Sequence, residues 1–286
     1  MFACGLTMAL GVAFTGAAPF QDAPAAAQPQ DEAKAEGATP APTVAVGDAK
    51  PFALTIPGTT VVLDMLPVRV AIEDDAKSTR TIWVAKTETT WDLYDAFVMA
   101  QDKPAADRSA AVDAVARPTK AYVLADRGFG HAGFPALSIS AKGAQQACAW
   151  LSALSGVTFR LPTEAEWEAA ARAGDEAAAP AMLDDVAWHL GNDDKKTRAV
   201  ATKTANAFGL HDMLGNVAEW CTTADGKTVL RGGCFLDKPE VLTYAARREP
   251  VKAWNQSDPQ IPKSKWWLAD AAFAGFRVVC DSAPSP

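Results

Sequence analysis

Arg160–Gly174 reads RLPTEAEWEAAARAG and Gly209–Trp220 reads GLHDMLGNVAEW. The first string is a helix signature. Thr163 is placed to cap, Glu166 completes a capping box after Pro162, and the helical pattern carries to Gly174. The second string has neither the period of a helix nor that of a strand. Gly209, Gly215 and Asn216 favour tight turns. Asp212 and Glu219 set two carboxylates in one short loop. Carboxylates together with backbone carbonyls in irregular loops are how proteins hold hard cations such as calcium. The same residues suit plainer roles, with Asp212 capping a turn and Glu219 exposed on a strand.

Working outward, two more helices are signalled. Thr90 can cap Trp91–Gln101, with Tyr94, Phe97 and Val98 on one face. Ser140 can cap Ala141–Leu154, whose stripe of Ala144, Cys148, Leu151 and Leu154 closes at Gly156. Short strands are expected at Phe52–Ile56, Thr60–Leu63, Pro67–Ala71, Ile82–Lys86, Ala218–Thr222, Thr228–Arg231 and Phe276–Cys280. Ala224-Asp225-Gly226-Lys227 turns a hairpin between the fifth and sixth. Asp102–Ser138, Ala177–Phe208 and Asp237–Phe273 show no period. So much irregular chain points to an α+β domain with short strands, three main helices and long functional loops.

The chain has 286 residues, 49% apolar and 21% charged, a globular balance. A net charge of −7 disfavours nucleic acid as a partner, because phosphate contact needs clustered Lys and Arg. Nine Trp suit a large core or an aromatic-lined groove. Phe2–Phe14 is apolar but too short to span a bilayer, and Gly16–Ala18 or Ala25–Ala27 offers a cleavage site. Residues 1–18 therefore read as a signal peptide, with cleavage as late as 27 and an n-region unusual in lacking Lys and Arg. Residues 19–50 read as an Ala/Pro-rich disordered linker, and residues 51–281 as the folded domain. This places the protein in the periplasm, at the cell surface or secreted. No later apolar run reaches ~18 residues, so no membrane span is expected after processing. Cys148, Cys221, Cys234 and Cys280 remain, and their spacing contains no CxxC pair, which argues against structural zinc.

Four strings in order, RLPTEAEWE, GLHDMLGNVAEW, RGGC at Arg231–Cys234 and AGFR at Ala274–Arg277, resemble the formylglycine-generating-enzyme (sulfatase-modifying factor) domain family. ETTWDLYDAF at Glu88–Phe97 and FPALSISAKGAQQACAWLS at Phe134–Ser152 fit the same order. The resemblance runs from about Phe52 to Cys280. It implies a C-type-lectin-like fold with little regular structure. It also implies a structural calcium site, with side-chain oxygens from Asp212 and Glu219 and carbonyls from Gly215 and Val217. A second calcium loop would fall within Ala187–Arg198.

The chain departs from the family at its reactive centre. Members that make formylglycine carry a Cys pair just after an RGGS-like string. The two thiolates bind copper(I), a metal that favours sulfur, and a Cys of the client sulfatase is oxidised there. Here the segment reads RGGCFLDKPEVLTYAARRE. Asp237 occupies the first Cys position and no thiol pair follows, so copper is not expected. Cys234 replaces the family Ser. It is the remaining candidate for a catalytic or metal-binding thiol, with Cys221 as a possible companion; otherwise it is a small buried residue or half a disulfide. The hairpin register sets Cys221 opposite Leu230 rather than Cys234, so no cross-strand disulfide is expected.

Arg231, Cys234, Asp237, Arg247 and Trp266 are the candidates for a substrate groove. Trp254–Asp270 would be one wall, with Arg248 and Lys265 as polar contacts, or else a surface loop pinned by buried Trp. His131, His189 and His211 have no metal-ligand spacing. This weakens a second resemblance, to ergothioneine-type sulfoxide synthases, which join the same domain to a His-bearing helical bundle. Two functions follow. One is an exported, non-catalytic binding or interaction module for a protein or small-molecule ligand. The alternative is an oxidoreductase of the family with altered active-site chemistry.

Overall fold

Thr90, Ser140 and Thr163 each start a helix in the computed structural model, which describes residues 48–72, 75–104, 117–118, 121 and 124–284. These helices are α1 (Trp91–Val98), α2 (Ala141–Ser155) and α3 (Glu164–Arg172). Each cap side chain accepts a bond from the first turn: from the amides of Leu93, Gly143 and Glu166 respectively. Glu166 returns a bond to the Thr163 amide, closing the expected capping box. Gly156 ends α2 in the left-handed conformation. α1 stops at Val98 rather than Gln101: its buried face ends at Phe97, and Ala100 turns to φ 51°. A fourth, single-turn helix, α4 (Leu183–Val186), lies in a stretch without sequence period. The expected signal peptide, and the linker up to residue 47, lie outside the described residues. Among the described residues no helix is long and apolar enough to cross a membrane.

The strands form two sheets. The first contains β1 (Phe52–Thr55), β2 (Val62–Ile72), β3 (Asp75–Ala85), β4 (Phe159–Arg160) and β9 (Val279–Cys280), in the order β1-β2-β3-β9-β4. β2 is one long strand where the sequence suggests two, because Pro67 sits inside it. β1 ends opposite Met65, so beyond that point β2 has β3 alone as a neighbour and tolerates a missing donor on its open edge. β3 also begins earlier than Ile82, since its polar first half carries no apolar alternation.

The second sheet contains β5 (Ala218–Thr222), β6 (Thr228–Arg231), β7 (Arg247–Arg248) and β8 (Ala274–Gly275), in the order β7-β6-β5-β8. β5 and β6 have the expected bounds, but Cys221 faces Val229, and Trp220 faces Leu230. The expected register was off by one residue. The expected strand Phe276–Cys280 is divided: Phe276 to Val278 leave the ladders between β8 and β9, and Arg277 turns into the interior. Cys148, Cys221, Cys234 and Cys280 are all free and buried.

Two apolar clusters fill the interior. The larger joins α1, α2 and the second sheet through Trp91, Tyr94, Phe97, Leu151 and Trp220, with Phe276 beside them. The smaller packs α3 on β2 and β3 through Trp167, Ala170, Val68, Val70 and Ile82, together with Leu210 and Met213. The string GLHDMLGNVAEW enters between them, and so reaches both sheets.

Candidate functional site

The turns of GLHDMLGNVAEW are set by backbone geometry. Gly215 has φ 78°, and a Cβ there would lie 2.1 Å from the Trp188 carbonyl oxygen, so only glycine fits. Its amide donates to the Gly232 carbonyl at 3.0 Å, and the Phe235 amide donates to the Asn216 carbonyl at 2.9 Å. These bonds dock the RGGC string directly on the loop.

Beneath the loop lies a knot of charge that sequence reading only half found. Glu88, Asp212, Glu219 and Arg277 are all buried. Arg277 donates to Glu219 through Nε and Nη2, the shortest contact being 2.8 Å, and Trp167 Nε1 donates to Glu219 Oε2 at 2.8 Å. Arg277 also donates to the carbonyls of Ala85 and His211. Glu88 accepts from the Val217 amide at 2.9 Å and from Asn216 Nδ2 at 2.7 Å. Burial pushes the Glu88 carboxyl well above the usual range, and the charges of Asp212 and Glu219 push it further. Asp212 Oδ2 accepts from the Ala201 amide at 2.7 Å, whereas Oδ1 is buried without a partner. Burial raises Asp212 as well.

This geometry divides the expected calcium set. Asp212 keeps a donor oxygen that nothing in the chain uses, which suits a cation. Glu219 is not an exposed strand residue: its oxygens face a guanidinium and an indole. Of the expected set Asp212, Gly215, Val217 and Glu219, Glu219 is thus engaged by Arg277 and Trp167, and Asp212 keeps an unused side-chain oxygen. In the second expected loop, Asp193 Oδ2 and Thr197 Oγ1 are likewise buried without partners. Among the described residues no group of three His, Cys, Asp or Glu side chains is arranged to hold a metal. Glu88 and Arg277 were the missed members of the knot. Both stand in the quoted strings, ETTW and AGFR, but a lone Glu or Arg carries no sequence sign that it will be buried and paired.

The residues after RGGC build a second place. A cleft of about 200 Å³ is lined by Gly233, Asp237, Val241, Ala246, Arg247 and Arg248, among others. Asp237 Oδ2 accepts from the Cys234 amide at 2.8 Å, and Oδ1 is paired with Arg248. Cys234 lies behind this pair, fully buried, with Arg248 Nη1 at 3.9 Å from Sγ. Burial, and then the Asp237 charge, push the Cys234 thiol up to about 12, so it carries no thiolate near neutrality. Cys221 is also buried and lies on β5, away from this turn.

Of the five groove candidates, Asp237 and Arg247 line this cleft. Arg231 instead bonds Glu164, Glu168 and the Tyr244 carbonyl, with its guanidinium over the Trp167 ring. Trp266 is a core residue whose carbonyl accepts from the Ser140 amide, and Trp267 packs against Trp91 and Tyr94. The segment Trp254–Asp270 is thus pinned by buried Trp. The histidines are scattered: His131 bonds Asp95 and Asp126, His189 bonds Asp184, and His211 bonds the Lys203 carbonyl.

Comparison with known proteins agrees with this geometry. The family description of sulfatase-modifying factor enzyme 1-like domains matches residues 54–281. The chain is 37% identical over 121 residues to a formylglycine-generating enzyme of Mycobacterium tuberculosis, covering 37% of this chain and 38% of that one. It is 35% identical over 148 residues to the serine/threonine-protein kinase pkn1 of Chlamydia pneumoniae, covering 41% of this chain and 22% of that one. The chain thus spans well under half the length of either relative. Among solved structures, Treponema denticola variable protein 1 superimposes with a TM-score of 0.55 at 21% identity, over 81% of this chain and 99% of that one.

Proposed function

Since the chain belongs to the sulfatase-modifying factor enzyme 1-like domain family, we propose that it keeps the family scaffold as a non-catalytic binding or interaction module, exported to the periplasm or cell surface. One observation carries this reading. The position that would supply the first copper thiolate is Asp237, locked to Arg248, and the neighbouring Cys234 thiol is buried and pushed up to about 12. Soft-metal chemistry needs accessible thiolates, and this turn offers a satisfied carboxylate–guanidinium pair instead. A lectin-like frame that holds loops rigidly suits recognition, and a shared fold does not by itself transfer an activity. The cleft beside Asp237 and Arg247 would take a charged or polar group of a protein or small-molecule ligand. The signal-like run Phe2–Phe14, followed by small residues that suit cleavage, is the support for export.

Elemental analysis of the purified chain, paired with a thiol-peptide oxidation assay under air, tests the reading. The expected result is no stoichiometric copper or iron and no loss of peptide thiol. Stoichiometric copper together with turnover would overturn it in favour of an altered oxidoreductase.

A further inference from the structure

We propose that the cavity between the C-terminal end of α3 and the loop 204–214 binds a small amphiphilic amine, a protonated amino head on an apolar or aromatic body. The cavity measures about 390 Å³, inside the range of small-molecule sites, about 300–1,000 Å³. It shares no lining residue with the cleft at Asp237, so it stands or falls apart from the proposed binding role of that cleft.

Its walls are chiefly apolar: Leu210, Met213, Leu214, Val186 and the Tyr244 ring take the body of a ligand. The polar groups in the wall decide the head. Asp175 Oδ2 accepts from the Tyr244 hydroxyl at 3.0 Å and Oδ1 from the Ala177 amide at 2.9 Å, which fixes a half-buried carboxylate beside the ring. The donors that could hold an anion are already used. Arg172 bonds Glu168 and the carbonyls of Asp175 and Ala177, and lies over the Tyr244 ring at 4.9 Å. Asn206 gives its amide protons to the carbonyls of Ala170 and Ala171. Exposed Glu176 and Asp185 flank the opening in sequence, next to Asp175 and Val186 of the wall. Asp212, whose Oδ1 is buried without a partner, also lines the chamber, and an apolar chamber with carboxyl groups in its wall selects a cation with an apolar body over its neutral or anionic analogues.

Three probes of one shape separate these cases: 2-phenylethylamine, 2-phenylethanol and phenylacetate, titrated into the full chain near neutral pH. Calorimetry reads affinity, and the Met213 methyl resonance reports where the probe sits. The amine is expected to bind roughly three- to tenfold tighter than the alcohol, the size of a partly exposed ion pair. Phenylacetate should bind weakest, and the Met213 methyl should shift. Asp175→Asn keeps an acceptor for Tyr244 and should reduce the preference for amine over alcohol, with Asp212 still in the wall, while leaving alcohol binding intact. Ala207→Trp should fill the chamber and remove both. Equal binding of amine and phenylacetate, an unmoved Met213 signal at millimolar probe, or an unchanged preference in Asp175→Asn overturns the proposal. The last two readouts use the wild type and a near-isosteric change, so they decide even if Ala207→Trp does not fold.

Discussion

The knot under GLHDMLGNVAEW and the turn after RGGC both place a carboxylate against a guanidinium, yet the two pairs do different work. In the knot, Glu219 and Arg277 are sealed from water. Every strong interaction there replaces hydration that burial has removed, so breaking it leaves a bare charge in the interior. At the turn, Arg248 is about a third exposed and Asp237 mostly buried. Water can take over when that pair breaks, and the pair adds little stability. The first pair belongs to the frame. The second stands at the surface, at the turn after RGGC, where a change costs little. In this chain the frame and the turn after RGGC are therefore held by separate forces, one by charges sealed from water and the other by a pair that water can replace.

The largest effect is expected from Arg277→Ala. It strands Glu219 in the interior and should cost about 3–5 kcal/mol, read as a fall in the urea midpoint with an unchanged slope. A cost like that of a surface pair would show that the knot is not the frame.

Next in size is Asp212→Asn. Burial raises the folded Asp212 carboxyl above its ordinary value, with Glu88, Glu219, Arg277 and His211 as its charged or titratable neighbours. A raised carboxyl contributes stability that is full below its ordinary pKa and is lost as pH rises through the folded one. The variant should therefore gain on the wild type as pH rises from about 4 to about 8, since the difference between the two leaves Asp212 and the groups coupled to it, Glu88 and Lys203 among them. The same pair of proteins settles the cation question. If the free Asp212 oxygen holds calcium, the ion should raise the wild-type melting temperature by linkage and leave the variant unmoved.

The smallest effect is expected at the turn. Asp237→Asn keeps the acceptor for the Cys234 amide and removes the partner of Arg248. It should cost under about 1 kcal/mol. Cys234 should resist alkylation in both folded proteins at mildly alkaline pH and react once they unfold. Rapid native labelling of Cys234 would contradict the burial on which the proposed function rests.

Much of the frame was legible in advance because it depends on local chemistry. The three caps Thr90, Ser140 and Thr163 act within one helical turn, so their side chains announce their helices. The hairpin at Asp225-Gly226 was legible for the same reason, and its register slipped by one because turn residues alone leave one position open. β2 was read as two strands, because whether Pro67 breaks a ladder depends on which neighbour is present at that point. Glu219 was read as a calcium ligand or a solvent-facing residue. Which partner a buried carboxylate meets is decided 58 positions away, at Arg277.

Residue identity at short range was enough for the family, the helices, the β5–β6 hairpin and a segment after Cys234 that holds no further Cys up to Glu249. What those residues face was set by folding: Glu219 the guanidinium of Arg277, Asp237 that of Arg248, Cys234 a dry interior, Trp266 the core. Short-range order comes from caps and turns that a chain segment satisfies alone, whereas charge, reactivity and access belong to neighbours that only folding brings together.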